Sequence, residues 1–423
     1  MKVLSLYDGM SCAWLALQEA KIPIDRYVAY EIDKYAIKTS KHNFPMIEQM
    51  GDVFGADFTQ YEGFDFLMGG SPCTYWSIAQ KNNRETEASG MGWELFSQYV
   101  RALCEAQPRF FIYENNKSMS KAIRKSIDDT FGFEAVEFNS ALVSAQNRQR
   151  LYWVGKRNED GTYSKVHVEL PEDRGILLRD VLDGVYGIGY RGRMEDGKWV
   201  KRYESNGEEK ANAITTAQTD SMVAQPVYIG AVPDNNGTYL NGKQPSQQYR
   251  VYDPDAKGVA VTTCAITNVP ERVGCYPSPD GTLKNSQGMR IYSIDGKSVN
   301  LTALGGGMGA KTGLYAIPVE FDGDIPVKAI SAADGKTYTV YEVKDGQITI
   351  KGKSYPIKLA DGYYIIRKLT VTECMRLQTV PEWFEWPVSD TQAYKMLGNG
   401  WTVDVIVHLL NAIKEDINET ESN

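Results

Sequence analysis

The sequence predicts an α/β fold in which a doubly wound, mainly parallel sheet is joined to a second, β-rich domain. In residues 1–158 short apolar runs alternate with amphipathic stretches, as in parallel strands connected by helices. From residue 159 to 364 the composition shifts to Gly, Asp, Asn and Tyr with short β-prone segments. Helical periodicity returns at 365–412, which we expect to rejoin the first domain before a polar tail at 413–423.

The first domain is predicted element by element. Apolar runs at 3–7, 26–30, 65–68, 110–113 and 150–154 predict buried strands, and stretches at 14–20, 34–43 and 93–106 predict helices. In such a sheet ligands bind beyond the carboxyl ends of the strands. The polar residues that follow each run are therefore the candidate site.

The second region contains an internal repeat. Residues 250–262 follow the pattern Arg-Val-Tyr-x-x-Asp-x-Lys-x-Val-x-Val-Thr, residues 290–302 repeat it closely, and a looser copy spans 202–215. We interpret the copies as similar β units that pack together rather than as equivalent binding sites. Asp-Gly pairs at 334–335, 345–346 and 361–362 separate alternating runs and predict a β-meander with tight turns.

The composition argues against several classes of protein, namely unspecific nucleic-acid binders, disulfide-rich or metal-binding proteins and membrane proteins. With 46 basic and 54 acidic residues the net charge is −8, which argues against unspecific nucleic-acid binding but is compatible with a local basic cleft. The six cysteines form no Cys-x-x-Cys pair and there are three histidines, so no disulfide framework and no metal site is predicted. No apolar run reaches eighteen residues and no leader is recognisable, so we expect a cytoplasmic monomer without a membrane contact.

Three strand ends carry reactive side chains. Cys73 follows a proline on a stiff loop after the strand at 65–68, which makes it a candidate nucleophile, although structural cysteines are commoner. Glu114 ends the next strand and is expected to face the thiol, unless it only caps a helix. Arg148 and Arg150 alternate onto one face, where they suit a polar heterocycle and its phosphate or a surface ion-pair network.

A nucleotide site is predicted near the amino end of the chain. The strand, the turn at Tyr7 to Gly9 and the following helix have the order that holds a nucleotide near a helix start. Glu31 ends the second strand at the separation expected of a ribose-binding acid, and Asp52 could accept from an adenine amino group. A nicotinamide-dependent dehydrogenase would explain Gly9 and Glu31 but would leave the cysteine, glutamate and arginine motifs without a role.

Taken together, these motifs resemble the DNA cytosine-carbon-5 methyltransferase family over residues 1–160 and 365–410. The matching blocks, in the family's order, are Leu6 to Gly9 with Glu31 and Asp52, Pro72-Cys73 with Ser77, Glu114-Asn115, Gln146-x-Arg148-x-Arg150, Arg367-x-Leu-Thr370-x-x-Glu373-x-x-x-Leu377-Gln378 with Pro381, and Tyr394-x-x-Leu-Gly398-Asn399-Gly400. The departures are Ser11 and Cys12 in place of glycines, Thr74-Tyr75-Trp76 in place of Gln-Pro-Phe, Asn116 in place of valine, and Gly400 in place of serine.

The resemblance implies a Rossmann-like S-adenosylmethionine-dependent methyltransferase that acts on a cytosine flipped out of double-stranded DNA. It implies Cys73, Glu114, Arg148 and Arg150 as catalytic residues and Tyr7, Gly9, Glu31, Asp52 and Asn399 as cofactor contacts. Residues 159–364 would recognise the target, with the Gly-rich segment 304–313 and its Lys311 as a candidate DNA-contacting loop. An RNA (tRNA) cytosine methyltransferase is the alternative. Restriction-modification, phage and orphan roles all remain open, as does the recognised sequence.

Overall fold

The structure is a computed structural model that describes residues 1–77, 84–183, 188–195, 198–205, 227–231, 250–253, 269–283, 285–303, 308–309, 311–319, 329–331 and 336–421. The chain divides into two compact units, one of residues 1–184 and 266–423 and the other of residues 185–265. Residues 266–364 thus share a compact unit with the first domain. The functional boundaries at 158 and 364 stay a prediction.

The first part of the chain alternates strands and helices. It contains β1 (Lys2–Leu6), α1 (Cys12–Glu19), β2 (Arg26–Tyr30), α2 (Lys34–Asn43), β3 (Glu48–Gln49), β4 (Phe66–Gly69), α3 (Gly90–Ala106), β5 (Phe110–Asn116), α4 (Lys121–Phe131), β6 (Val136–Asn139), β7 (Gln149–Arg157) and β8 (Tyr163–Lys165). The five predicted strands correspond to β1, β2, β4, β5 and β7, and the three predicted helices to α1, α2 and α3. The helix α4 and the strands β3, β6 and β8 were not predicted.

These strands form one sheet in the order β3-β2-β1-β4-β5-β7-β6, with β8 beside β7. The five strands from β3 to β5 are parallel, whereas β7 is antiparallel to both β5 and β6. The predicted doubly wound, mainly parallel sheet is therefore confirmed. Both faces of the central strand β1 are covered, since the consecutive residues 3–6 are all buried, with Val3, Leu4 and Leu6 fully so.

The second part of the chain is rich in strands and ends in helices. It contains β9 (Ile188–Glu195), β10 (Lys198–Ser205), β11 (Val227–Ala231), β12 (Arg250–Asp253), β13 (Arg272–Cys275), β14 (Arg290–Ser293), β15 (Leu314–Val319), β16 (Ala329–Ser331), β17 (Thr337–Lys344), β18 (Gln347–Ile350), β19 (Lys353–Pro356), β20 (Gly362–Arg367), α5 (Val371–Leu377), α6 (Asp390–Asn399) and α7 (Val403–Glu421). A second sheet has the order β13-β14-β15-β20-β17-β18-β19, with β16 beside β17. The predicted β-rich region is confirmed.

Turns in the second sheet follow the predicted Asp-Gly signals only in part. Asp345 and Gly346, both at positive φ, connect the antiparallel strands β17 and β18 in a tight hairpin. Gly362 instead begins β20. The pair at 334–335 lies outside the described residues, as do 304–307 and 310 of the Gly-rich segment.

Each of the two close copies of the repeat begins with a strand that pairs antiparallel with the strand before it, and each pairing has a register shift. The strand β12 is antiparallel to β11, with a register shift between Tyr228 and Gly230, and β14 is antiparallel to β13, with a shift between Arg272 and Gly274. Residues 254–262 of one copy and 206–215 of the looser copy lie outside the described residues. In the copy at 290–302, Lys297 is fully buried and donates to Asp173 Oδ1 at 3.0 Å, which supports our interpretation of that copy as a packing unit.

The terminal helices complete the unit that contains the first sheet. The helix α7 packs on α1, and α5 packs on α6. Within the described residues, no helix combines the length and the apolar character that a membrane crossing requires.

Candidate functional site

The loop that carries Cys73 is fixed by the neighbouring strand. It leaves β4 at Gly69, and its Ser71 hydroxyl lies 2.7 Å from the Tyr113 hydroxyl of β5. Asn115 Nδ2 donates to Ser71 O at 3.2 Å. Beyond the loop, Cys73 begins a short 3-10 turn and its side chain is partly exposed. The thiol is thus presented on a backbone that buried hydrogen bonds hold in place.

A glycine brings this loop against Glu114. A Cβ atom at Gly70 would lie 2.6 Å from Glu114 O and 2.9 Å from Glu114 Oε2. Real Cβ atoms do not approach so closely, so a larger residue at 70 would displace the loop or the glutamate. The two predicted catalytic residues therefore lie on segments in direct contact.

Glu114 is held by two donors from distant parts of the chain. Arg150 Nε lies 3.1 Å from Oε1, and Trp401 Nε1 donates to Oε2 at 3.0 Å. Glu114 is about 9% exposed. Arg150 reaches it because β7 is antiparallel to β5, so that Arg150 pairs with Asn116 at the carboxyl end of β5. The arginine motif thus lies at the amino end of its strand, yet at the same edge of the sheet.

Arg148 lies at the same edge but its guanidinium is engaged by the protein. Nη1 donates to Asn300 Oδ1 at 3.0 Å and to Gly398 O at 3.2 Å, and Nη2 donates to Gly400 O at 2.7 Å. The side chain is buried, and burial together with the charge of Arg150 lowers the pKa of Arg148 to about 10. Arg148 therefore connects three segments that are far apart in the sequence.

Backbone amides surround the carboxylate of Glu31. Gly9, at φ 60°, donates its N–H to Glu31 Oε2 at 2.8 Å, and the amides of Ile32 and Asp33 donate to Oε1 at 2.8 Å. The positive φ of Gly9 turns its amide toward the end of β2, which a side chain at this position would strain. Asp52, beyond β3, accepts from Phe54 N at 3.1 Å. The two predicted cofactor carboxylates are thus each fixed by local backbone.

The turn between β1 and α1 contains a buried carboxyl group that sequence analysis did not single out. Asp8 accepts hydrogen bonds from Ser5, Ser11 and Tyr27. Burial raises the pKa of Asp8 to about 6, against the opposing effect of these hydrogen bonds. Ser11, which replaces a glycine of the family pattern and keeps a positive φ of 67°, therefore contributes a donor to this carboxyl group.

Two other departures from the family pattern are in contact. A Cβ atom at Gly400 would lie 3.2 Å from Cys12 Sγ and 3.0 Å from Met396 O. Cys12 is buried, and burial raises the pKa of its thiol to about 12. The sulfur of Cys12 leaves little room for the hydroxymethyl group of a serine at 400.

All nine predicted site residues line one cavity of about 640 Å³. They are Tyr7, Gly9, Glu31, Asp52, Cys73, Glu114, Arg148, Arg150 and Asn399. The cavity is also lined by Ile32, which is 74% exposed, and by Phe54, which is 47% exposed. We did not predict these two residues, although each is a large apolar residue within two positions of a predicted carboxylate.

The cavity suits the chemistry of S-adenosylmethionine. Exposed apolar side chains next to Glu31 and Asp52 provide an apolar surface for a purine ring beside acceptors for ribose hydroxyls and an amino group. In the described part of the chain, no group of three or more His, Cys, Asp or Glu residues could hold a metal ion.

Comparison with known proteins points to one family of enzymes. The family model described as C-5 cytosine-specific DNA methylase matches residues 1–415. The orphan methyltransferase M.SPRI of Bacillus phage SPR is 33% identical over 96% of this chain and 95% of its own length, and M.Rho11sI of Bacillus phage rho11s is 26% identical over 96% of both. The crystal structure of a protein described as a DNA modification methyltransferase from an E. coli prophage superposes on this chain with a TM-score of 0.51. The sequence identity is 16% and 99% of both chains is covered, so the two proteins share a fold.

Proposed function

We propose, from the premise that this chain belongs to the family of C-5 cytosine-specific DNA methylases, that it transfers a methyl group from S-adenosylmethionine to carbon 5 of cytosine in double-stranded DNA. The observation that carries the proposal is the single cavity in which Cys73 and Glu114 lie together with Gly9, Glu31 and Asp52. A thiol nucleophile and an adenosine site are needed at one place for this reaction.

The residues that would hold the cofactor are Tyr7, Gly9, Glu31, Asp52 and Asn399. S-adenosylmethionine supplies an electrophilic methyl group when bound. Glu31 keeps lone pairs beyond those that accept the three amides, so its carboxylate can also accept from ribose hydroxyls. Asp52 would accept from the adenine amino group, with Ile32 and Phe54 on the ring faces.

Carbon 5 of cytosine becomes nucleophilic only after a nucleophile adds to carbon 6. In our proposal the Cys73 thiolate forms this bond, and Glu114 stabilises or protonates ring nitrogen 3. Carbon 5 would then take the methyl group as the bond from that group to the sulfonium sulfur breaks, which leaves S-adenosylhomocysteine. Loss of the carbon 5 proton to a base would expel the Cys73 thiolate and restore the ring. Arg150 fixes Glu114 and faces the base carbonyl.

Arg148 is assigned a positioning role because its guanidinium donates to protein oxygen atoms on two other segments. The target base must leave the duplex to reach Cys73, at a cost of a few kcal/mol. We propose that residues 159–364 bind the surrounding DNA and offset that cost.

The test is covalent trapping on DNA that carries 5-fluorocytosine. Fluorine cannot leave carbon 5 as a cation, so after methyl transfer the enzyme should remain bound through Cys73 and survive denaturing electrophoresis. Trapping should require S-adenosylmethionine and should be abolished by Cys73→Ser, because a hydroxyl is a far weaker nucleophile than a thiolate.

Cys104→Ser is the matched control, since Cys104 is exposed and outside the cavity, and it should be trapped normally. Parallel reactions with duplex DNA and with tRNA distinguish the DNA enzyme from an RNA enzyme on the same scaffold. An adduct that maps by mass spectrometry to another cysteine, or a Cys73→Ser variant that methylates at the parent rate, would refute the mechanism.

A further inference from the structure

Trp401 has no role in any of the motifs that point to the reaction, yet it contacts the acid of the site. It follows α6 by two residues, is partly buried and lines the cavity. Its indole Nε1 donates to Glu114 Oε2 at 3.0 Å. Arg150 binds the other oxygen of the same carboxylate, so each oxygen of Glu114 has its own donor.

The indole N–H of Trp401 is uncharged, whereas the guanidinium of Arg150 carries a positive charge, so the two donors act differently on the Glu114 carboxyl group. The indole is a neutral donor that cannot accept a proton, so it always presents hydrogen to Oε2. An ion pair through Nε of Arg150 alone leaves the carboxyl group free to rotate about its last bond. Two donors, one on each oxygen, fix the plane of the carboxyl group as well as its position.

The backbone that carries Trp401 is anchored independently of its side chain. Gly400 O accepts from Arg148 Nη2 at 2.7 Å and from Gln378 Nε2 at 3.2 Å. Thr402 Oγ1 donates to Gln378 Oε1 at 2.7 Å. The position of the indole is therefore set by buried contacts on both sides of Trp401.

We propose that Trp401 is a positioning residue that orients the Glu114 carboxyl group for the flipped cytosine through the hydrogen bond from its indole N–H. The inference rests on the proposed function. Because the hydrogen bond acts on the reacting geometry of Glu114 and not on the binding of substrate or cofactor, its loss should lower the rate of methyl transfer and leave both affinities near their parent values.

Trp401→Phe tests this because it removes the N–H and keeps an aromatic ring in the same space. We expect the single-turnover rate of DNA methylation to fall at least tenfold, as for loss of a hydrogen bond to a charged group. The KM for DNA and the Kd for S-adenosylmethionine should change less than about twofold. Trp383→Phe is the matched control, since Trp383 is 55% exposed and does not line the cavity, and it should methylate at the parent rate.

The same substitution in a Glu114→Gln background separates positioning from a general structural effect. If Trp401 acts through Glu114, Trp401→Phe should cause little further loss once the carboxylate is gone. An equal loss in both backgrounds, an unchanged rate in the single variant, or a fall in the unfolding midpoint of more than about 5 °C would overturn the inference. A parent protein that methylates no cytosine would count against the proposed function instead, so the two failures are distinguishable.

Discussion

At the scale of single residues, Cys12 and Gly400 are two departures from the family pattern that account for each other. The Cys12 sulfur lies 3.2 Å from the position that a Cβ atom at 400 would take. A glycine at 12 would leave this space empty, and a serine at 400 could then occupy it. The two positions are therefore expected to be coupled energetically.

Gly400→Ser should destabilise the protein by about 1–3 kcal/mol, because the new side chain overpacks a buried contact with Cys12 and Met396. The double variant Cys12→Gly with Gly400→Ser should be more stable than the sum of the single changes predicts. Urea unfolding of the three variants measures the coupling. Gly55→Ser is the control, since a Cβ there meets nothing within 4 Å, and additive single effects at 12 and 400 would contradict the coupling.

Single site residues could be predicted from the sequence where the proposed reaction needs one particular type of side chain. The Pro-Cys pair, Glu114 and the acids at strand ends could be found because each belongs to a strand end of a predictable sheet. Trp401 could not, because its role depends on the approach of a segment 287 residues away from Glu114. Nothing in the local sequence indicates that contact.

At the scale of elements, the helix α5 begins with a buried charge network that also anchors β20. Thr370 and Glu373 form reciprocal hydrogen bonds at the helix start, with Glu373 Oε2 accepting from Thr370 N at 2.7 Å. Arg367, at the end of β20, donates to both oxygens of Glu373 at 2.7 and 2.6 Å. The side chains of Arg367 and Glu373 are 5% and 0% exposed, so each charge depends on the other.

Glu373→Ala should destabilise the protein by roughly 3–5 kcal/mol, because it removes the helix cap and leaves the Arg367 guanidinium buried without its partner. Glu382→Ala breaks the ion pair with Arg376, in which the glutamate is 65% exposed. This variant should lower the free energy of unfolding by less than about 1 kcal/mol. Denaturant unfolding of both variants measures the difference. If both variants lose the same free energy of unfolding, the buried network stabilises the protein no more than a surface ion pair does.

Elements were predictable where apolar periodicity was long and unbroken. The helix α4 was missed because exposed charged residues at 121, 125 and 129 interrupt the pattern of its three buried apolar residues. The antiparallel direction of β7 was also not predictable, since a strand's own sequence does not encode its direction. That direction nevertheless decides that Arg150 reaches Glu114.

At the scale of the whole molecule, the net charge of −8 means that attraction to DNA must come from local groups. Lys311 is one candidate, and its Nζ donates to Thr391 O at 3.3 Å at the start of α6. Burial and the neighbouring charges of Lys368 and Lys395 lower the pKa of Lys311. Lys311 thus lies near two other positive charges, of which Lys395 is paired with Asp33 at 2.6 Å, and a phosphate group would add a negative charge at this place.

Lys311→Ala is therefore expected to weaken DNA binding several-fold at low salt and to reduce the slope of log affinity against log salt by about 1. The effect should be similar for specific and unrelated sequences, because a phosphate contact carries no base information. Fluorescence anisotropy over a range of salt concentrations measures it. Lys21→Ala, which lies just beyond α1, is the control. An unchanged slope would remove Lys311 from the interface.

The hydrogen bonds of Arg148 also have a consequence for protein synthesis. The guanidinium donates to oxygen atoms of residues 300, 398 and 400, and the cavity is lined in part by residues 395, 396 and 398–401. A ribosome that has translated the whole sheet up to β8 has made Cys73, Glu114 and Arg150, but not the acceptors of Arg148 or the indole of Trp401. Until residues 398–401 have been translated, a nascent chain therefore lacks two acceptors of the Arg148 guanidinium and the indole that donates to Glu114.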